Sequence, residues 1–141
     1  MHQSDAQSAE IVAVRPAEEV LSRQHLPYFV GISHNTAGAT GISMNLIVIP
    51  PGGAAQPHLH RGYETAIYIL EGDVQTFYGP DLRQSMTNHA GDFLFIPANV
   101  PHQPVNLNKD RPVRAIVARN DADEQESVEL YPAAQPGPVA Q

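Results

Sequence analysis

Three residues in the stretch PHLHRGYETAIYILEG, residues 57–72, have the types and spacing of a metal site: His58, His60 and Glu64. Side chains alternate along a strand, so His58 and His60 would present two imidazoles on one face. A third imidazole stands in GDFLFIPANVPHQPVN at 91–106, where a glycine turn, an apolar strand and a proline-bounded turn lead to His102. If the two strands are neighbours, the three rings meet. Neutral imidazoles with one carboxylate, leaving positions open for water or substrate, suit Zn, Fe, Mn, Ni or Cu. An isolated HxH pair is common on strands that bind nothing. Here the flanks add weight, since PPGG at 50–53 makes a turn before the pair and Glu64 follows at ligand distance. Of the other histidines, His2 lies near the chain start and His25 sits beside Pro27, where a solvated ring is expected. His34 and His89 are the reserves that would fill the metal shell if Glu64 turned away, although each alone is more often a solvated histidine.

Composition narrows the chemistry. With no cysteine there is neither a disulfide nor a thiolate ligand. A net charge of −7 excludes broad binding to nucleic-acid phosphates. The beginning MHQSDAQSAE lacks the basic start and apolar core of a signal peptide, and LIVI at 46–49 is far too short to span a bilayer. A cytoplasmic protein with a small-molecule substrate, and with no membrane or nucleic-acid partner, is the expectation. No nucleophilic Ser arrangement, phosphate-cradling glycine loop or nucleotide fingerprint is present. One lysine, Lys109, stands against seven arginines, a bias best read as GC-rich coding.

The elements that must position the site are short. Thirteen prolines and ten glycines punctuate the 141 residues. Runs rich in β-branched and aromatic residues read as strands at 27–33, 43–49, 64–70, 74–78, 93–96, 104–106 and 112–118, bounded by turns such as EGD, YGPD, HAGD and NKDRP. The one helical candidate is PAEEVLSRQ at 16–24, with Pro16 at its first position. Many short strands at this spacing predict an all-β barrel or sandwich. The expected division is a mobile segment at 1–10, one domain at 11–131 and a mobile tail at 132–141, with the acidic stretch at 121–129 solvated.

The two histidine segments together resemble the cupin superfamily. Its first motif is G-x5-H-x-H-x(3,4)-E-x6-G, met by Gly52, His58, His60 and Glu64, with Gly72 closing the strand. Its second is G-x5-P-x-G-x2-H-x3-N, matched by Gly91, Pro97, His102 and Asn106, with Asn99 in place of the middle glycine. Asparagine accepts positive φ better than most residues, so the turn survives that exchange. The resemblance implies a small single-domain cupin: one jelly-roll β-barrel with a short N-terminal helix, commonly a homodimer. It also implies one divalent metal, Zn before Fe, Mn, Ni or Cu, on His58, His60, Glu64 and His102, which then carry catalysis.

One departure bears on the ligand set. Seven residues separate Glu64 from Gly72, where the family pattern has six, so counting back from Gly72 puts Thr65 in the ligand place. A one-residue shift moves the carboxylate to the opposite face, and a bulge near 62–65 would return it. With Glu64 bound, a divalent centre keeps one net positive charge; with imidazoles alone it keeps two and is the stronger Lewis acid for enolate oxygens. Around it, Arg61 and Tyr63 are candidates for orienting substrate, Asn45 for facing the cavity, and Tyr68, Phe77, Tyr78, Phe93 and Phe95 for core or pocket wall.

Small cupins of this spacing are similar to the cupin-type cyclases of aromatic polyketide pathways. That likeness implies an aldol-type ring closure and dehydration of a poly-β-ketone, an enolisable carbonyl substrate in an apolar pocket. The alternatives are an Fe(II) dioxygenase acting on a diketone or phenol, and a non-catalytic module that binds a small ligand.

Overall fold

The computed structural model describes residues 9–15, 19–22, 25–123 and 127–131. Proline, glycine and asparagine turns cut the chain into extended pieces, and alternation gives each piece an inner and an outer face. β3 (Ser43–Ile49, SMNLIVI) buries Ser43, Asn45, Ile47 and Ile49; β10 (Val113–Arg119, VRAIVAR) buries Val113, Ala115, Val117 and Arg119. The other strands are β1 (Val20–Leu21), β2 (Pro27–Ile32), β4 (His58–His60), β5 (Thr65–Glu71), β6 (Asp73–Tyr78), β7 (Gln84–His89), β8 (Phe93–Ile96), β9 (His102–Asn106) and β11 (Val128–Leu130).

They form two antiparallel sheets, one of six strands in the order β1-β2-β3-β10-β5-β8 and one of five in the order β11-β4-β9-β6-β7. This is the jelly-roll sandwich expected of the sequence. Tyr28, Ile47, Ile49, Ile69, Val74, Val113 and Val117 fill the core between the sheets. Each such side chain contributes roughly 1.5–3 kcal/mol by leaving water.

Two motif residues act as fasteners. Gly72 turns β5 into β6 at φ 95°, and a Cβ there would come within 2.9 Å of the Pro112 carbonyl oxygen. Positive φ and close approach together require glycine. The Asn106 side-chain amide donates to the carbonyls of Ile49, Pro50 and Arg111, and its oxygen accepts from the Asn108 N–H. The last residue of the second motif thus ties β9 to loops of both sheets.

Among the described residues, the short helix lies outside the expected segment. α1 is a single turn, His34–Ala37, capped by Ser33 and Thr36 in reciprocal hydrogen bonds and ended by Gly38 at φ 76°. Within 16–24, Val20–Leu21 pair with Tyr28 and Pro27 as β1, and His25 at φ 67° makes the tight turn between them. Ladder partners override helix propensity there; 16–18 and 23–24 lie outside the described residues. β7 (QSMTNH) was missed because five of its six residues are exposed, so no apolar alternation marks it. The tail at 132–141 and residues 1–8 of the expected N-terminal segment also lie outside the described residues.

Candidate metal centre

The five-stranded sheet carries all three expected imidazoles. His58 and His60 flank Leu59 on β4 and share the inner face, and His102 on β9 is the direct cross-strand partner of His58. The three are 3–4% exposed, and their candidate ligand nitrogens all lie within 4.8 Å of one another. Backbone carbonyls orient two of the rings. His58 Nδ1 donates to the Gln56 carbonyl at 2.7 Å and His102 Nδ1 to the Val100 carbonyl at 2.9 Å. A carbonyl only accepts, so Nδ1 carries the proton and Nε2 keeps its lone pair for a ligand.

Burial keeps the His58 and His102 rings neutral. Burial lowers the pKa of His58 well below its ordinary value, with the His102, His60 and Arg119 charges adding to the effect. Burial also lowers His102 to about 4, against an opposing contribution from its bond to the Val100 carbonyl, and Arg119 pushes further down. Neutral, fixed imidazoles converging on one point are the donor set of a divalent transition metal.

Glu64 does not join them. It is exposed just before β5, and its N–H donates to the Asn120 side chain at 2.8 Å. The ladder explains why. β5 pairs with β8 without interruption from Thr65 to Tyr68, and the irregularity in its pairing with β10 falls at Leu70, opposite Arg114 and Ala115. No bulge near 62–65 turns Glu64 inward, so Thr65, Ile67 and Ile69 face the cavity. Four residues lie between His60 and Thr65 and six between Thr65 and Gly72, which satisfies both gaps of the first motif with a hydroxyl in the acid's place.

The reserves stay outside too. His34 is exposed on α1 with Nδ1 near the Ala39 carbonyl, and exposed His89 pairs with Asp73 at 2.6 Å. Arg61 is held at the surface by a two-pronged ion pair with Glu129, both distances 2.8 Å. Asn45 points inward, but its side-chain oxygen accepts from the Gly31 N–H where β2 slips against β3. Asn99 takes φ 70°, the left-handed conformation expected of it, and its side chain accepts from the Gly62 N–H. Phe93 and Phe95 are on the outer surface, Phe93 80% exposed with its ring 4.7 Å from that of Tyr68.

The sequence reading missed Arg119. It ends β10 on the inner face, 4% exposed, and its Nε donates to Thr65 Oγ1 at 2.8 Å. Its signal was parity: Val113, Ala115, Val117 and Arg119 are alternate residues of one strand. Opposite the histidines, Thr65 and Arg119 close a cavity of about 70 Å³ whose other walls are chiefly Ile, Leu and Val. A second cavity of about 220 Å³, bordered by Tyr78, Met86, Phe95 and Pro97, shares His102, Thr76, Leu94 and Ile96 with the first. Neither is lined by an acidic side chain among the described residues.

A protein-family model described as the cupin domain matches residues 45–119. Among solved structures, the oxalate decarboxylase of Lactobacillus farciminis in its formate complex is 20% identical, with a TM-score of 0.68 over 80% of this chain and 33% of that one. A substituted Bacillus subtilis oxalate decarboxylase is 19% identical, with a TM-score of 0.68 over 81% of this chain and 30% of that one. The same enzyme, in a study of its Mn(II) centres, is 20% identical with a TM-score of 0.65 over 76% and 28%. These likenesses show a shared fold, and this chain spans a third or less of those proteins. Curated protein sequences give no significant match.

Proposed function

The chain belongs to the cupin domain family, whose model covers just over half of it, and from that premise we propose a metal-dependent enzyme acting on an enolisable carbonyl compound held as its enolate. The observation that carries this reading is the ligand set: three buried imidazoles converge, His58 and His102 held neutral by burial, with no acid joining the cluster among the described residues. His58, His60 and His102 would hold one divalent ion, zinc first for three nitrogens. Bound there, it supplies Lewis acidity at a carbonyl oxygen with its full charge. The Mn(II) centres of the Bacillus subtilis oxalate decarboxylase lend support to a divalent metal in this fold.

The protein's residues then select the substrate. No carboxylate lines the cavity among the described residues, and the three imidazoles serve as ligands. Proton removal therefore favours a carbon acid that ionises readily, and a β-dicarbonyl is one. Aliphatic walls take its carbon skeleton and exclude water, which strengthens each polar contact. The reaction we favour is an aldol-type closure of a poly-β-ketone segment. The α-proton leaves to solvent, and a bond forms between the enolate carbon and a second carbonyl carbon as that carbonyl's π bond breaks. The resulting alkoxide takes a proton back from solvent, and the new hydroxyl then leaves with a neighbouring C–H hydrogen as water. This is the reaction implied by the likeness to cupin-type polyketide cyclases.

The second reading is cleavage of a β-diketone by O₂ with iron. The cavity of about 70 Å³ favours it, since that space suits a diketone better than a long chain. A homodimer also belongs to this proposal, supported by exposed Phe93, Phe95 and Leu70 on the outer side of the six-stranded sheet. No helix among the described residues is long and apolar enough to cross a membrane.

Elemental analysis of the purified protein, followed by β-diketone and poly-β-ketone turnover with and without O₂, tests these readings. Zinc with oxygen-independent ring closure supports the cyclase, and iron with oxygen consumption the cleavage. A ligand bound without turnover by metal-loaded protein would leave a binding module instead.

A further inference from the structure

We propose that Arg119, positioned by Thr65, is the anion-recognition element of the cavity. It takes one oxygen of a small 1,3-dioxygen monoanion whose other oxygen faces the three imidazoles. This deepens the proposed function, on which it rests, by assigning the residue that selects the ionised substrate.

Arg119 and Thr65 are direct partners in the β10–β5 ladder and face inward from the six-stranded sheet, while the histidines face inward from the five-stranded one. Substrate lying between the walls would meet both. The Nε bond to Thr65 holds the planar guanidinium in one orientation, which fixes where its other N–H groups can meet an anionic oxygen. Thr65 is therefore a positioning residue.

The electrostatics argue the same way. Arg119 and the three imidazoles line one cavity, and a guanidinium facing a cation site opposes metal binding. An anion between them turns that repulsion into two attractions. The neighbouring side chains of Ile67, Ile69 and Val117 are apolar, so the interaction is weakly screened. The cavity of about 70 Å³ admits only a few heavy atoms, which fits the reacting end of such an anion.

The arrangement predicts opposite signs for two affinities in one variant. Full-length wild type, Arg119→Met, Arg119→Lys and Thr65→Val are compared by calorimetry. The probes are Zn²⁺, then acetylacetonate and acetate on zinc-loaded and metal-free protein. Arg119→Met should weaken acetylacetonate binding by about ten- to a hundredfold in both forms while tightening Zn²⁺ several-fold. Arg119→Lys should keep part of the anion affinity, and Thr65→Val should lose less than Arg119→Met. A merely structural role would weaken metal and anion together and lower the melting temperature in Arg119→Met, which overturns the proposal. Unchanged acetylacetonate affinity in a folded Arg119→Met also overturns it. If wild type binds acetate but not acetylacetonate, and Arg119→Met loses the acetate, anion recognition stands while the β-dicarbonyl reading falls.

Discussion

The two walls of the cavity differ in how their chemistry is specified. The five-stranded sheet supplies imidazoles from adjacent strands, two of them separated by Leu59 alone and the third directly across the ladder. His58 and His60 keep a common face whatever register β4 adopts, and His102 joins them through the β4–β9 pair. The six-stranded sheet supplies a hydroxyl and a guanidinium, 54 residues apart in sequence, which meet only because β5 and β10 pair in one register. Shift β5 by one residue, and Glu64 would replace Thr65 on the inner face. The paired imidazoles are thus fixed within one short strand, and the residue facing them from the other sheet is the part that register decides.

The largest effect should come from the histidine wall. His58→Ala or His102→Ala should weaken Zn²⁺ binding by at least about a hundredfold, with the metal-free fold retained, as measured by chelator competition and circular dichroism. Next is the fastener between the walls. Asn106→Leu would leave three carbonyls of Ile49, Pro50 and Arg111 without their donor and should cost about 2–5 kcal/mol in urea unfolding.

The histidine wall should also show itself in pH. His58 and His102 have folded pKa values below their unfolded ones, so the unfolded chain binds more protons as pH falls. Their contribution to stability is fully present above about 6.5, the unfolded value. It is lost as pH falls towards the folded pKa, about 4 for His102. Scanning calorimetry of metal-free protein from neutral pH downward should show the melting temperature falling through that window. The His58→Ala/His102→Ala double variant should show a shallower fall.

On the other wall, Gly72→Ala tests the turn that ends β5. Positive φ and the close Pro112 carbonyl predict a loss of about 1–3 kcal/mol. The smallest effect should be Glu64→Gln. An exposed side chain outside the cluster predicts unchanged Zn²⁺ affinity and stability within about 0.5 kcal/mol. A lost metal in that variant would mean that Glu64 reaches the site after all.

Particular residues show where reading the sequence succeeded. The convergence of His58, His60 and His102 was legible because alternation and motif spacing are local, and the left-handed turn at Asn99 because few residues accept that backbone conformation. The strands with apolar alternation were legible for the same reason. β1 was not, because Val20 and Leu21 carry helix-compatible neighbours and only pairing with β2 makes them a strand. Arg119 was not, because nothing in PVRAIVAR shows that its last residue faces histidines from another sheet.

By itself the sequence determined the barrel class, the turns and the strand faces that bear imidazoles, since these follow from each residue's own conformational preference and a two-residue period. Only the tertiary structure decided between Glu64 and Thr65, and set Arg119 opposite the triad. That choice rests on strand register, with the irregularity in the β5–β10 ladder falling at Leu70, and register is an agreement between distant strands that no single segment contains.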